Sequence, residues 1–207
     1  MTVLRRRRVS AACLLAVLLA GCGGPNDPRP SVTGATTAPV TAVDGDYDPA
    51  RFATQVKARA AEAAVSPRLV MAILYNESYK PHDPELERQW QELKPNASFG
   101  VANMHKAAYE QTRRGRAFAD RAWRELPDDS DLAIRAEAWY LHDLAAQLPG
   151  KRAGTLTTEE LLALGYNTGP GNMKAFARGT KPGIQAQSYL DTLHANWGKA
   201  EEALKPG

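Results

Sequence analysis

A mainly α-helical fold is the class that the amino-acid sequence predicts, for one domain that occupies residues 47–207. Two observations support this prediction. Apolar residues recur at helical spacing in several stretches of this region, and no stretch alternates convincingly between apolar and polar residues as a β-strand does. The chain of 207 residues is 43% hydrophobic and 24% charged, which is the balance of a globular protein with one core.

Residues 1–21 have the organisation of an export signal. The run Arg5–Arg8 precedes twelve mostly apolar residues, too few to span a bilayer. The run ends in Leu19-Ala20-Gly21-Cys22, which resembles the bacterial lipobox, and this implies cleavage before Cys22 and attachment of lipid to its thiol. A plain signal peptide with an incidental cysteine and a twin-arginine signal are the alternatives.

Removal of the signal changes the charge of the chain. The formal charge of +3 becomes −1, because four of the 26 basic residues lie in this segment and all 23 acidic residues lie beyond it. A near-neutral chain does not favour a nucleic-acid partner. The two cysteines are Cys13, which would be removed, and Cys22, which would carry lipid, so cysteine catalysis and redox chemistry are excluded.

Residues 22–46 predict a flexible tether. They are rich in Gly, Pro, Thr, Ser and Asp and contain few large apolar side chains. Such a composition does not bury enough surface to offset the entropy of ordering. The tether would let a folded domain work at a distance from a membrane.

The first two helices of the domain each begin with a capping residue followed by proline. Asp48-Pro49 begins the first, and apolar residues then recur at helical spacing. Ser66-Pro67 begins the second, which is nearly all apolar from 69 to 75. A helix that is apolar on every side belongs at the centre of a domain.

A third helix is predicted from Asp131 to Leu148. Its apolar side consists of Leu132, Ala136, Trp139, Tyr140, Leu144 and Leu148.

Two more helices and one irregular region complete the prediction. A fourth helix begins at Thr158 by its capping pattern and is punctuated by Gly165 and by Gly169-Pro170-Gly171. The last spans Gln185 to Leu204. Between Lys80 and Gly100 we expect a short hairpin or loop.

Glu77 stands out because it lies at the end of the most apolar helix. A carboxylate carried by a buried helix is costly unless it is paired, protonated or facing a cleft. Burial raises the pKa of such a group, which suits a general acid at neutral pH. Taken alone, a glutamate at a helix end is more simply a solvated terminus, so its sequence neighbours decide the interpretation.

Four short motifs follow one another in the domain. They are Asn76-Glu77-Ser78, Ser98 to Met104, Gly165 to Gly171, and Ser188-Tyr189-Leu190. Their order resembles the soluble lytic transglycosylase family, a branch of the lysozyme superfamily. Its hallmarks are Glu-Ser after an apolar helix, a Gly-Leu-Met-Gln-like stretch, a Tyr-Asn-Ala-Gly stretch and a later Tyr. The resemblance covers residues 48–200 and implies a lysozyme-like helical domain with a cleft.

The chain departs from the family pattern in three places. Ala102 and the shorter amide Asn103 stand where the family has Met and Gln, although another alignment puts Met104 at the Met position. Tyr79 stands where a small residue is usual. The segment 82–95 is longer than usual, and its PELERQWQELKP stretch is interpreted as a short extra helix beside the cleft.

The resemblance implies cleavage of peptidoglycan between N-acetylmuramic acid and N-acetylglucosamine by one carboxyl group. Glu77 would act as general acid and then as base, giving a 1,6-anhydro product. Substrate contacts would come from Ser78, Asn103, Met104, Tyr166, Asn167 and Tyr189. Ser78 as a helix-end hydroxyl, Tyr166 in the core and Tyr189 as a packed side chain are the structural alternatives. No cofactor is implied.

Two other functions stay open. A hydrolytic muramidase needs a second carboxylate, and Asp83 and Glu85 are the first to consider. A non-catalytic lipoprotein that binds glycan strands is favoured by Ala102 and Asn103. The acidic residues counted as second carboxylates, each most simply a solvated charge, are Asp83, Glu85, Glu87, Glu92, Glu125, Asp128 and Asp129.

The remaining aromatic and histidine residues add expectations about ligands and location. Trp90 is the best candidate for stacking on a sugar, and Trp139 is expected in the core.

We expect a monomer, held by lipid on Cys22 at the extracytoplasmic face of the cell membrane, with peptidoglycan strands as its partner. No metal site is expected, because ligand spacing is absent from His82, His105, His142 and His194.

Overall fold

Helices account for most of the residues that the structure, a computed structural model, describes, which are 47–79 and 82–206. The mainly α class is therefore confirmed. The predicted signal peptide (1–21), Cys22 and the tether (22–46) lie outside the described residues. Within them, no helix is both long enough and apolar enough to cross a membrane. The described α-helices are α1 (Ala53–Ala63), α2 (Pro67–Glu77), α3 (Pro84–Leu93), α4 (Lys106–Thr112), α5 (Ser130–Ala146), α6 (Thr158–Thr168), α7 (Pro170–Ala177) and α8 (Ile184–Ala203).

The first two helices begin where their capping residues predict. The Asp48 side chain accepts a hydrogen bond from the Ala50 amide and begins a 3₁₀ turn, Pro49–Phe52, that leads into α1. The Ser66 hydroxyl accepts from the Leu69 amide and begins α2. Helix α2 is central, because its residues 69–74 are all at most 1% exposed and it packs along α8 and α1.

Helix α5 begins one residue before the predicted position. Asp129 caps it by accepting from the Leu132 amide. Of the predicted apolar side, four residues are buried, whereas Trp139 and Leu148 are only half-buried against the core. The Trp139 indole donates to the Glu62 carboxylate, so this residue stands at the edge of the core rather than within it.

Gly165 does not interrupt α6, contrary to the sequence prediction. It lies inside the helix. A side chain would not fit there, because an added Cβ would stand 2.8 Å from the Met173 sulfur and 3.2 Å from Leu144. The break falls at Gly169, whose φ of +86° ends α6, and Pro170 begins the separate helix α7. Neither α7 nor α4 was predicted, because both are short and follow directly on other elements.

Both an extra helix and a hairpin follow α2. Asp83 caps α3 by accepting from the amides of Glu85 and Leu86. Strand β1 (Ser98–Phe99) then pairs antiparallel with β2 (Met104–His105), so the hairpin lies further along the chain than expected. Residues 100–103 join the two strands.

Helix α3 has an inverted amphipathic character. It buries two polar side chains, Glu87 and Gln91, whereas Leu86, Trp90 and Leu93 are exposed. The three exposed side chains recur at helical spacing and therefore share one stripe of the helix. Apolar surface left in water along one stripe is the feature that distinguishes α3 from the other helices.

Candidate functional site

Glu77 is the last residue of α2 and is 9% exposed. Each of its two carboxylate oxygens accepts a hydrogen bond from a distant part of the chain. The Asn103 amide nitrogen donates to Oε2 at 2.9 Å, and the Tyr189 hydroxyl donates to Oε1 at 3.1 Å. The structure thus brings together three of the residues that separate sequence motifs singled out.

Asn103 reaches Glu77 from the connection between the two strands, which we call the Gly100 turn (Gly100–Asn103). The backbone N–H of Asn103 donates to the Gly100 carbonyl oxygen at 2.8 Å and closes the turn. Gly100 has a φ of +76°, and a Cβ there would stand 2.7 Å from the Leu126 carbonyl oxygen. Asn103 itself has a φ of +47°, a left-handed conformation that asparagine adopts more readily than most residues.

Tyr166 supports the Gly100 turn. Its hydroxyl donates to the Ala102 carbonyl oxygen at 2.6 Å, and its ring packs on Tyr140 with centroids 5.7 Å apart. Burial, with the nearby charges of Glu137 and Glu77, raises the pKa of the Tyr166 hydroxyl well above its usual range. The neutral phenol therefore acts as a fixed donor to the turn.

Tyr189 is placed by a residue that the sequence analysis did not single out as a functional residue. The Asn76 side chain donates to the Tyr189 carbonyl oxygen at 3.1 Å and accepts from the Asn196 side chain at 2.8 Å. These bonds tie α2 to α8 one residue before Glu77. Burial and the Glu77 charge raise the pKa of the Tyr189 hydroxyl well above its usual range, so it remains a donor.

The other predicted contacts occupy varied positions. Ser78 donates its hydroxyl to the Tyr75 carbonyl at 2.8 Å, a bond within its own helix end. Met104 is buried in the core, and its carbonyl accepts from the Trp123 indole at 3.2 Å. Asn167 is exposed beside Tyr166. Within the predicted set, Asn103 and Tyr189 are hydrogen-bonded to the Glu77 carboxylate.

Three pockets are lined by Asn103, Tyr166 and Tyr189, and Glu77 is not a lining residue of any of the three. The Trp90 pocket, of about 460 Å³, is lined by Tyr79, Leu86, Trp90, Phe99 and Asn103 among others. The Tyr166 pocket, of about 410 Å³, also includes Asn103, together with Tyr140, Tyr166 and Asn167. The Tyr189 pocket, of about 530 Å³, includes Tyr79, Asn167 and Tyr189. Each pocket shares a lining residue with the other two, so the three adjoin one another. Ser78 instead lines a different pocket, with Tyr47, Tyr75 and Lys199.

Glu137 on α5 is a buried carboxyl group that the sequence analysis missed. It is fully buried, and neither of its oxygens has a hydrogen-bond partner among the described residues. Burial raises the pKa of Glu137 well above its usual range, and the neighbouring charge of Glu77 raises it further. Both effects favour the protonated form of Glu137. Its helical register with Ala133, Tyr140 and Leu144 was the available signal, since all three are buried.

The acidic residues considered as second carboxylates behave differently from one another. The prediction that each is a solvated charge is wrong for Glu87, which is buried and bound to His82 and to the Gly100 amide. Glu85 is exposed, as predicted. Asp83 lines the Trp90 pocket while its Oδ1 caps α3.

The described residues contain no group of three or more His, Cys, Asp or Glu side chains that could hold a metal ion. Comparison with known proteins found no matching family model, no matching curated protein and no matching solved structure.

Proposed function

We propose that this protein is a membrane-anchored lytic transglycosylase that cleaves the bond between N-acetylmuramic acid and N-acetylglucosamine in peptidoglycan. The single observation that carries the proposal is the setting of Glu77. A nearly buried carboxyl group accepts hydrogen bonds from an amide and a phenol, and these two donors, Asn103 and Tyr189, line the three adjoining pockets. A protein that only bound glycan would have no need to bury and orient an acid in this way.

The surroundings of Glu77 suit a group that must both give and take a proton. Burial and the C-terminal end of a helix disfavour its charged form. The hydrogen bonds from Asn103 and Tyr189 favour that form. The Tyr189 hydroxyl can also accept a bond, so it can serve the protonated acid as well as the carboxylate.

The reaction follows from one such carboxyl group. Protonated Glu77 gives its proton to the glycosidic oxygen as the bond from that oxygen to the muramic C1 breaks. The C6 hydroxyl oxygen of the same sugar then bonds to C1, and its proton passes to the Glu77 carboxylate. The product is a 1,6-anhydro sugar, no water is consumed and Glu77 is regenerated. Because the nucleophile belongs to the substrate, no second carboxylate is needed to hold a water.

A polymeric substrate also fits the surface around Glu77. A glycan strand extends on both sides of the bond that is cleaved, and adjoining pockets offer space for several sugar units. Trp90 and Tyr79, exposed in the Trp90 pocket, supply aromatic faces for the C–H surfaces of sugar rings. We place the lipid at Cys22 and the domain at the extracytoplasmic face, where the predicted tether confines it near the wall.

The test is digestion of purified peptidoglycan by the full chain, with products weighed by mass spectrometry. The proposal expects muropeptides lighter by one water than reducing ones, and their loss in Glu77→Gln. Glu85→Gln is the matched control, because Glu85 is an exposed glutamate outside the site. Reducing ends would instead show hydrolysis and direct attention to Asp83. Sedimentation with peptidoglycan without any product would support a glycan-binding lipoprotein.

A further inference from the structure

His82 and Glu87 form a buried pair beside the Gly100 turn. Their side chains are 11% and 9% exposed, and His82 Nδ1 lies 2.9 Å from Glu87 Oε1. The other ring nitrogen, His82 Nε2, lies 3.1 Å from the Pro127 carbonyl oxygen. Both ring nitrogens of His82 therefore face an oxygen.

The hydrogen bonds of His82 and Glu87 determine the charge of the pair. A carbonyl oxygen only accepts, so His82 Nε2 carries a proton. The contact between His82 Nδ1 and Glu87 Oε1 needs a second proton, which either atom can carry. The pair is thus an imidazolium with a carboxylate, or an imidazole with a carboxylic acid, and in both cases it holds two protons and has no net charge. Loss of one proton would leave two lone pairs facing each other in buried surroundings, which is energetically unfavourable.

The pair is joined to Glu77 through the Gly100 turn. Glu87 Oε2 accepts from the Gly100 amide at 2.8 Å. The Gly100 carbonyl accepts from the Asn103 amide at 2.8 Å, and the Asn103 side chain donates to Glu77 at 2.9 Å. A hydrogen-bonded path therefore runs from His82 to Glu77, and a glutamate buried on α3 holds its middle.

Other titratable groups lie around the pair, and one of them, Tyr47, donates its hydroxyl to the Val101 carbonyl of the Gly100 turn at 3.5 Å. The Tyr47 ring packs on His82 with centroids 5.5 Å apart, and burial with the charges of Glu87, Glu77 and Glu137 raises the pKa of the Tyr47 hydroxyl. The charged side chains of the neighbouring segments have other contacts: Asp83 caps α3, Arg88 pairs with Asp128, Lys94 lies over Trp90 and His105 contacts the Asn96 carbonyl.

We propose that His82 and Glu87 are positioning residues, which hold the Gly100 turn so that Asn103 meets Glu77. The inference rests on the proposed function, since it assigns the pair a role in orienting the acid of that reaction.

The first experiment follows the turn itself by NMR, without any substrate. In Glu87→Ala the backbone amide of Gly100 and the side-chain amide of Asn103 should shift together from their wild-type positions, because the turn loses its acceptor. In Glu87→Gln both signals should stay close to their wild-type positions, because glutamine can still accept from Gly100. Signals of Gly100 and Asn103 that do not move in Glu87→Ala would overturn the proposal.

The second experiment measures anhydro-product formation. Glu87→Ala should lose about 10- to 100-fold in kcat with little change in KM, whereas Glu87→Gln should recover most of that loss. Glu85→Gln on the same helix is the control that should keep the wild-type kinetics. Equal losses in Glu87→Gln and Glu87→Ala, or no loss in Glu87→Ala, would contradict the proposal.

The two experiments separate the two proposals. Coupled NMR signals in a chain that forms no product would leave the positioning role intact and reject the transglycosylase function. Product formation with uncoupled signals would support the transglycosylase function and reject the positioning role.

Discussion

Tyr189 donates its hydroxyl to the Glu77 carboxylate at 3.1 Å, although 112 residues separate the two along the chain. The bond depends on the packing of α8 along α2, which the Asn76–Asn196 and Asn76–Tyr189 bonds hold in register. An acid that must change protonation state needs a partner able to donate and accept, and a phenol is such a partner.

Removal of this phenol tests its role. We expect Tyr189→Phe to reduce the rate of anhydro-product formation by about 10- to 150-fold, since a hydrogen bond to a charged group contributes about 1.5–3 kcal/mol. The fall should lie in kcat, measured by mass spectrometry of released muropeptides. Tyr75→Phe is the matched control, because the Tyr75 hydroxyl contacts Asp48 and lies outside the three pockets. Equal losses in both variants would contradict a specific role for Tyr189.

Replacement of Asn103 separates backbone strain from chemistry. Asn103→Ala and Asn103→Gly both remove the donor to Glu77, so both should lose most of the activity. Only alanine should also lose stability, by about 1 kcal/mol relative to glycine, because the left-handed φ of +47° penalises a Cβ. Urea denaturation measures the difference, and equal stability of the two variants would argue against the left-handed conformation.

Glu137 predicts an unusual dependence of stability on pH. The pKa of its carboxyl is raised by burial in the folded chain and is about 4.3 when unfolded. The unfolded chain therefore loses this proton first as pH rises, and folding is progressively disfavoured from about pH 4 up to the folded pKa.

We expect Glu137→Gln to escape this loss. Its unfolding free energy relative to wild type should increase by up to about 1.4 kcal/mol for each pH unit in that window. Urea denaturation at a series of pH values measures it, with the exposed Glu85→Gln as control. A difference that stays constant with pH would show that Glu137 is not a buried neutral acid.

Gly100 should tolerate no side chain. Gly100→Ala combines a φ of +76° with a Cβ only 2.7 Å from the Leu126 carbonyl oxygen, so we expect a loss of about 2 kcal/mol or more. Gly115→Ala is the control, since Gly115 has a similar φ of +71° but no atom within 4 Å of the added Cβ. The melting temperature of Gly100→Ala should therefore be well below that of Gly115→Ala. Equal melting temperatures would contradict the close approach of the Leu126 carbonyl oxygen to Gly100.

Trp90 should contribute to binding of the glycan strand. Trp90→Ala should weaken sedimentation with peptidoglycan by about 3- to 10-fold, since an aromatic contact contributes about 0.5–1.5 kcal/mol. Leu93→Ala on the same helix is the control, because Leu93 is more exposed and does not line the Trp90 pocket. Comparable effects of the two substitutions would indicate a surface without a defined sugar contact.

The limits of sequence reasoning are clearest on α3 and α5. A helix in PELERQWQELKP was predictable from Asp83-Pro84 and helix-forming residues. That this helix would bury Glu87 and expose Trp90 was not, because the choice of face depends on the hairpin and on residues around Pro127. The register of Glu137 with Ala133, Tyr140 and Leu144 indicated a buried position on α5, but its lack of a hydrogen-bond partner among the described residues was visible only in the structure.

The sequence by itself determined the helical class and the starts of the capped helices, because a cap such as Ser66 acts on an amide three residues away. It also marked Glu77 as a carboxyl group on an apolar helix. Only the tertiary structure decided the partners of that carboxyl group, the isolation of Glu137 and the link from His82 to the Gly100 turn. These depend on the packing of α2 with α8 and α5, and contacts between residues far apart in the chain leave no local pattern to recognise.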